Sequence, residues 1–245
     1  MNEADAIQRR WARLVGFSYV FALAPAIFAE FYVSGRLISD NALATAQNIV
    51  AHERLFRLGI AGNLMVFVTD VLLVTSLYVV LERVNRRLAL LATFFRLMET
   101  TILVVAVLND LYVLRLLSGA SYLGGLDAAA LASVARVSIG AHNSAYGVAL
   151  VLFGFGSSIF CYLWLESGYI PRALALFGLI ASVWIGVCSF GFVVFPGLNR
   201  IIGVQYYGGP IFLFELTLGL WLLVKSIRLE KKTGTSVDVP VFLRG

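Results

Sequence analysis

Apolar runs about twenty residues long recur along almost the whole chain, and they limit its fold more than any other feature. LVGFSYVFALAPAIFAEFYV comes first, and comparable runs follow at intervals to the last quarter of the sequence. A helix rises about 1.5 Å per residue, so such a run matches a hydrocarbon core of about 30 Å. Backbone groups inside lipid need partners within the protein, and a helix supplies them. The composition agrees: 60% of residues are hydrophobic and 13% charged, against about 25% charged in ordinary soluble domains. Mean hydropathy is +0.88. The expectation is an all-α fold, a polytopic membrane protein built as a six-transmembrane-helix bundle.

The spans are expected at about 13–33, 56–81, 88–114, 139–165, 172–195 and 210–227. Together they make one six-helix transmembrane domain, 1–230, followed by a C-terminal tail, 231–245. Pro25 falls inside the first span, where a kink is tolerable if neighbours satisfy the freed carbonyl. NALATAQNIVAHERLF has apolar residues at helical spacing and reads as a short interfacial helix capped by Asp40. LERVNRR is a tight basic turn, so the second and third spans are antiparallel neighbours. Pro171 suits the first turn of the fifth helix. FPGLNRIIGVQYYGG is a longer loop with room for a short re-entrant or interfacial piece. Two acids precede the first arginines and no small-residue cleavage motif follows the first run, so the first helix is expected to stay as an anchor.

Basic residues set the orientation. Arg9, Arg10, Arg13, Arg83, Arg86, Arg87, Arg172, Lys225, Arg228, Lys231, Lys232 and Arg244 fall on one side of the six-span plan. Arg36, Arg54, Arg57, Arg115, Arg136 and Arg200 fall on the other. The twofold bias places both termini in the cytoplasm of a bacterial inner membrane. The net charge of +5 is this topological signal, and a nucleic-acid partner is not expected. Cys161 and Cys188 lie in apolar segments without metal-ligand spacing.

Ionisable residues inside spans are costly, so each is a candidate for a site or a lock. Asp70, Arg96 and Glu99 fall at similar depth toward the cytoplasmic half, and Arg96 and Glu99 share a helix face at i,i+3. They are expected to form a structural buried charge cluster. Glu30, Arg57, Asn109, Asp110, His142 and Glu215 fall toward the outer side and make a candidate polar pocket. His142 with Asp110 or Glu215 could serve as acid and base. No serine or cysteine motif supplies a nucleophile, and Ser144 lies two residues from His142, off its helix face. No metal site and no cofactor are expected, and no catalytic residue is assigned. Glycines such as those of GFG at 154–156 favour close helix packing.

The sequence also resembles a bacterial family of integral membrane proteins designated domain of unknown function 4386. The resemblance rests on ARLVGFSYVFALAPAIFAEFYV, on NIVAHERLFRLGIAGNLMVFVTDVLLVTSLYVVLERVNRRLALLATFFRLMET, on ESGYIPRALALFGLIAS and on FELTLGLWLLVKSIR. It covers about residues 10–230 and is strongest between FRLGI and the FFRLMET glutamate. It implies a six-helix inner-membrane protein and supplies no catalytic role. Glu30, Arg57, Asp70, Asn85, Arg96, Glu99 and, more loosely, Glu215 match the family's polar pattern.

Three functions are consistent with these readings. The first is a non-catalytic structural or accessory component that contacts lipid, a membrane-protein partner or a second copy of itself. The alternative is a small-molecule or ion transporter or sensor that uses the outward-facing pocket. The third, a membrane-embedded enzyme centred on His142, is expected least.

Overall fold

The computed structural model describes residues 3–119 and 124–228. The tail expected at 231–245 lies outside the described residues. Among the described residues every regular element is helical.

Helix α1, Glu3–Ile27, carries Pro25 in its last turns. It runs directly into a π-helical turn, Phe28–Val33, and then into α2, Ser34–Leu37. Proline has no N–H to donate, so the α ladder is already interrupted when the wider turn begins. A π turn holds more residues than an α turn, so side chains beyond it change face. Glu30 sits on this turn.

Helix α3, Ala42–Ala51, is the short helix expected after the first span. Its cap is Asn41 rather than Asp40: the Asn41 side chain accepts from Ala44 N at 3.0 Å. The hydrogen-bonding reach of a cap is to the second or third helical residue, and Asn41 has that register.

Helix α4, Glu53–Leu116, is a single 64-residue element by hydrogen bonding. A straight helix of that length would measure about 96 Å, roughly three hydrocarbon thicknesses. Asn85 breaks it, with φ −153° and ψ 101°. The Asn85 carboxamide oxygen accepts from Leu88 N at 3.1 Å, so the breaking residue caps the helix that follows. The two arms, 53–84 and 86–116, fold back on each other, because Arg96 of the second meets Asp70 of the first.

Helix α5, Ala128–Ser167, begins well before the expected position 139. Asp127 caps it by accepting from Ala130 N at 2.7 Å, so residues 128–138, which fall between the expected third and fourth spans, are helical. Helix α6, Arg172–Val194, matches the expected fifth span. The loop beyond it holds two one-turn helices, α7, Leu198–Ile201, and α8, Val204–Tyr207. Helix α9, Gly209–Val224, follows.

Four helical runs are long and apolar enough to cross a membrane: Asp5–Leu37, Glu53–Leu116, Ala128–Ser167 and Arg172–Val194. Helix α9 is apolar but shorter. The fold is an all-α membrane bundle. Helix α4 packs on α1 and α5, α6 packs on α5 and α9, and α9 returns to α1, which closes the ring. Helices α5 and α6 cross where Gly154 meets Gly186, so closely that a Cβ on Gly154 would strike the Gly186 backbone.

The interior has two apolar cores. One gathers Leu73, Val74, Ala92, Phe153, Trp164 and Phe214 with their neighbours. The other gathers Ile49, Phe56, Phe67, Leu103, Val107 and Ile139 with theirs. Asp70 falls between Phe67 and Leu73, and Arg96 and Glu99 fall between Ala92 and Leu103. A charged layer therefore separates the cores. At the end carrying the N-terminus, buried Gln8 ties three elements together. Its amide donates to Val80 O at 3.0 Å and to the Tyr169 hydroxyl at 3.1 Å, and its oxygen accepts from Arg83 at 3.1 Å.

Candidate functional site

Two cavities carry the buried ionisable residues of the interior, Asp70, Arg96, Glu99, Asp110 and His142. The first, about 220 Å³, is lined by Glu30, Asn63, Asp110 and His142, with Ser34, Asn143 and apolar side chains beside them. Glu30 comes from the π turn, Asn63 and Asp110 from the two arms of α4, and His142 from α5. Asn63 donates to Glu30 Oε1 at 2.8 Å. His142 Nδ1 lies 3.0 Å from Asp110 Oδ2 and 3.2 Å from Ala106 O. Both partners accept hydrogen bonds, so Nδ1 carries a proton. Nε2 then faces Glu30 Oε1 at 4.0 Å. The His142 ring also stacks on Tyr146, with centroids 6.3 Å apart and planes 11° apart.

This geometry fixes an imidazole by two bonds on one nitrogen and leaves the other facing a carboxylate. The cavity offers mainly acceptors: two carboxylates and Nε2 when the ring is neutral. Of the two amides on its wall, that of Asn63 donates to Glu30, and that of Asn143 belongs to an exposed residue beside His142. Ser34 lines the same cavity, but its hydroxyl donates to Ala29 O at 3.3 Å. The arrangement suits a solute rich in donors or positive charge better than it suits nucleophilic attack.

The second cavity, about 520 Å³, is the Arg96 chamber. Asp70, Arg96, Glu99 and Glu215 line it, together with Tyr19, Tyr146, Gln205, Tyr207 and many apolar side chains. Arg96 Nη2 lies 3.9 Å from Asp70 Oδ1, and Nη1 lies 3.2 Å from Glu99 Oε2. The guanidinium carbon sits 4.3 Å from the Phe153 ring centroid. A Cβ on Gly156 would lie 2.8 Å from Arg96 Cγ, so glycine there makes room for the arginine stem. Arg96 and Glu99 are each only 4% exposed. Their facing atoms, Nη1 and Oε2, are close in distance yet satisfy no hydrogen bond. Tyr146 links the two cavities: it lines the chamber and stacks on the histidine of the other.

The structure gathers Glu30, Asp110 and His142 as a group and separates them from three residues expected with them. Arg57 pairs instead with Glu53, its Nη2 2.7 Å from Glu53 Oε1, in an exposed i,i+4 pair. It opens the first arm of α4, where a carboxylate one turn back is nearer than anything in the bundle. Asn109 donates to Val105 O at 2.9 Å, because the residue beside Asp110 points off its face. Glu215 lines the Arg96 chamber, since α9 packs against α1 and α6. Asn63 went unread. It lies seven residues, about two turns, before Asp70 on the same helix face, and that spacing was its signal. Tyr146 and Phe153 gave no signal, being ordinary aromatics in a span.

A family model described as a domain of unknown function, DUF4386, matches residues 14–226. The chain belongs to the DUF4386 family. No curated protein and no solved structure matches it. The DUF4386 region runs from α1 to just past α9, so both cavities lie wholly within it. Among the described residues of this DUF4386 chain, no three His, Cys, Asp or Glu side chains group closely enough to hold a metal ion.

Proposed function

We propose that the protein binds a small cationic solute in the Glu30–His142 cavity, in the service of transport or sensing across the membrane. The observation that carries this is the convergence of Glu30, Asn63, Asp110 and His142 on one intramembrane cavity, with His142 Nε2 and Glu30 facing each other across it. A purely structural lock would close every one of these groups on a partner, whereas here Asn63 holds Glu30 and Asp110 holds His142 while His142 Nε2 and Glu30 stay 4.0 Å apart. Their opening onto shared space supports a ligand site and argues against the accessory role that the sequence favoured. The same reading keeps six crossings, both termini in the cytoplasm and the cavity facing outward. The break at Asn85 and the basic residues around it support that topology.

The test uses the purified full chain in nanodiscs and methylammonium as probe, with sodium at equal ionic strength as the control. A ligand at one hundred times its Kd stabilises the folded state by about 2.7 kcal/mol. The proposal expects methylammonium to raise the unfolding temperature of the wild type and not of Glu30→Gln. Equal responses in the two proteins, or none in either, would overturn it.

A further inference from the structure

We infer that the Arg96 chamber is a second binding site, separate from the Glu30–His142 cavity, and that its ligand is an apolar organic cation. The chamber's volume of about 520 Å³ is more than twice that of the other cavity, and its wall is mostly hydrocarbon. Leu23, Leu73, Leu103 and Ile211 supply that wall. Ile27 and Phe31 also line it while remaining 45% and 60% exposed, so the chamber opens along α1 toward the lipid-facing surface. A ligand entering there is one that partitions into a bilayer.

The charge of the wall selects the ligand's sign. Three carboxylates face one guanidinium. Asp70 and Glu99 already meet the charge of Arg96, at 3.9 and 3.2 Å. Glu215 forms no hydrogen bond or ion pair with any described residue. Glu215 shares the one guanidinium only at a distance, with two carboxyl groups that hold it more closely, and an entering cation supplies the near partner that it lacks. An anion would meet three carboxyl groups for one guanidinium.

A second observation points to a ligand independently of the acidic count. Glu99 is 4% exposed, lines the chamber and leaves Oε2 without a hydrogen bond. Buried acceptors in native proteins are nearly always satisfied, so an orphan in a cavity wall marks where a donor belongs. Arg96 Nη1 lies 3.2 Å away without the alignment of a hydrogen bond, so that pair supplies charge and leaves the acceptor open. An ammonium ligand carries such a donor, and the aromatic rings of Tyr19 and Tyr207 on the same wall attract a cation even when it has no N–H.

Tetraphenylphosphonium and tetraphenylborate have nearly the same size and shape and opposite charge, so they isolate the sign. Equilibrium dialysis of the full chain in nanodiscs, with empty nanodiscs subtracted, measures both. The inference expects one tetraphenylphosphonium per chain, binding weakened at least about tenfold in Glu215→Gln, and no tetraphenylborate above the empty discs. Glu99→Gln should weaken binding likewise. Glu215→Gln breaks no ion pair, so it decides the matter even where Glu99→Gln fails to fold. Tetraphenylphosphonium binding that is absent, or unchanged in Glu215→Gln, overturns the inference. Preferential binding of tetraphenylborate overturns it in favour of an anion site on Arg96. Glu30→Gln should leave tetraphenylphosphonium binding intact, which separates failure here from failure of the methylammonium site.

Discussion

Replacing Arg96 by methionine takes the guanidinium out of a layer that keeps Asp70 and Glu99 between the two apolar cores. At 3.2 and 3.9 Å, each pairing is worth about 4–5 kcal/mol of Coulomb attraction at an effective dielectric of about 20. Desolvation offsets much of that, and the pairings lack aligned hydrogen bonds. The larger effect of Arg96→Met is to strand two buried carboxylates, which costs about 3–5 kcal/mol. If stranded charge is the cause, neutral partners should cancel it. The triple variant Arg96→Met, Asp70→Asn, Glu99→Gln should return to within about 1 kcal/mol of the wild type. Equilibrium unfolding in mixed micelles, followed by the fluorescence of the four tryptophans, measures all three proteins. A single variant that costs less than about 1 kcal/mol, or a triple variant as unstable as the single, would refute the reasoning.

Two further outcomes are expected from the helix framework. Gly154→Leu should lower the unfolding temperature markedly, by overpacking worth about 1–3 kcal/mol, because its side chain must displace the α6 backbone at Gly186. Gly147→Leu, on the same helix with open space around it, should be nearly neutral in the same scan. Asn85→Ala should cost about 1 kcal/mol by removing the cap on Leu88 N, and Asn85→Asp should restore most of it, again read by thermal unfolding.

The fold was legible because lipid imposes one rule on every backbone group, and long apolar runs obey it visibly. The short helix at Ala42–Ala51 and the packing glycines of 154–156 were legible for the same local reasons. Element ends were less so. The early start of α5 turns on the single cap at Asp127, in a stretch whose small residues read equally well as loop. The partition of the polar residues was only half legible. Depth along each span can be counted at about 1.5 Å per residue, which brought Asp70, Arg96 and Glu99 to one level. Direction around each helix cannot be counted the same way across a π turn or between unconnected helices. Glu30 is aimed by the π turn after Pro25, and Glu215 by the place of α9 in the ring. Arg57 had a local partner one turn away that outcompeted the distant ones. What the sequence presented as one outer pocket and one inner lock is, in three dimensions, two cavities linked by the stack of Tyr146 on His142.

The central claim is that the Glu30–His142 cavity is reached by water and solutes from outside the cell. Asn63 lines it and is 8% exposed, so Asn63→Cys places a thiol on its wall. Cys161 and Cys188 are both buried and can be replaced by alanine for a clean background. The measurement is the rate at which a membrane-impermeant trimethylammonium methanethiosulfonate, added outside intact cells, labels that thiol. The account predicts rapid labelling from outside, slowed by methylammonium. A thiol that stays unlabelled, or that reacts only when the reagent reaches the cytoplasmic side, would contradict it.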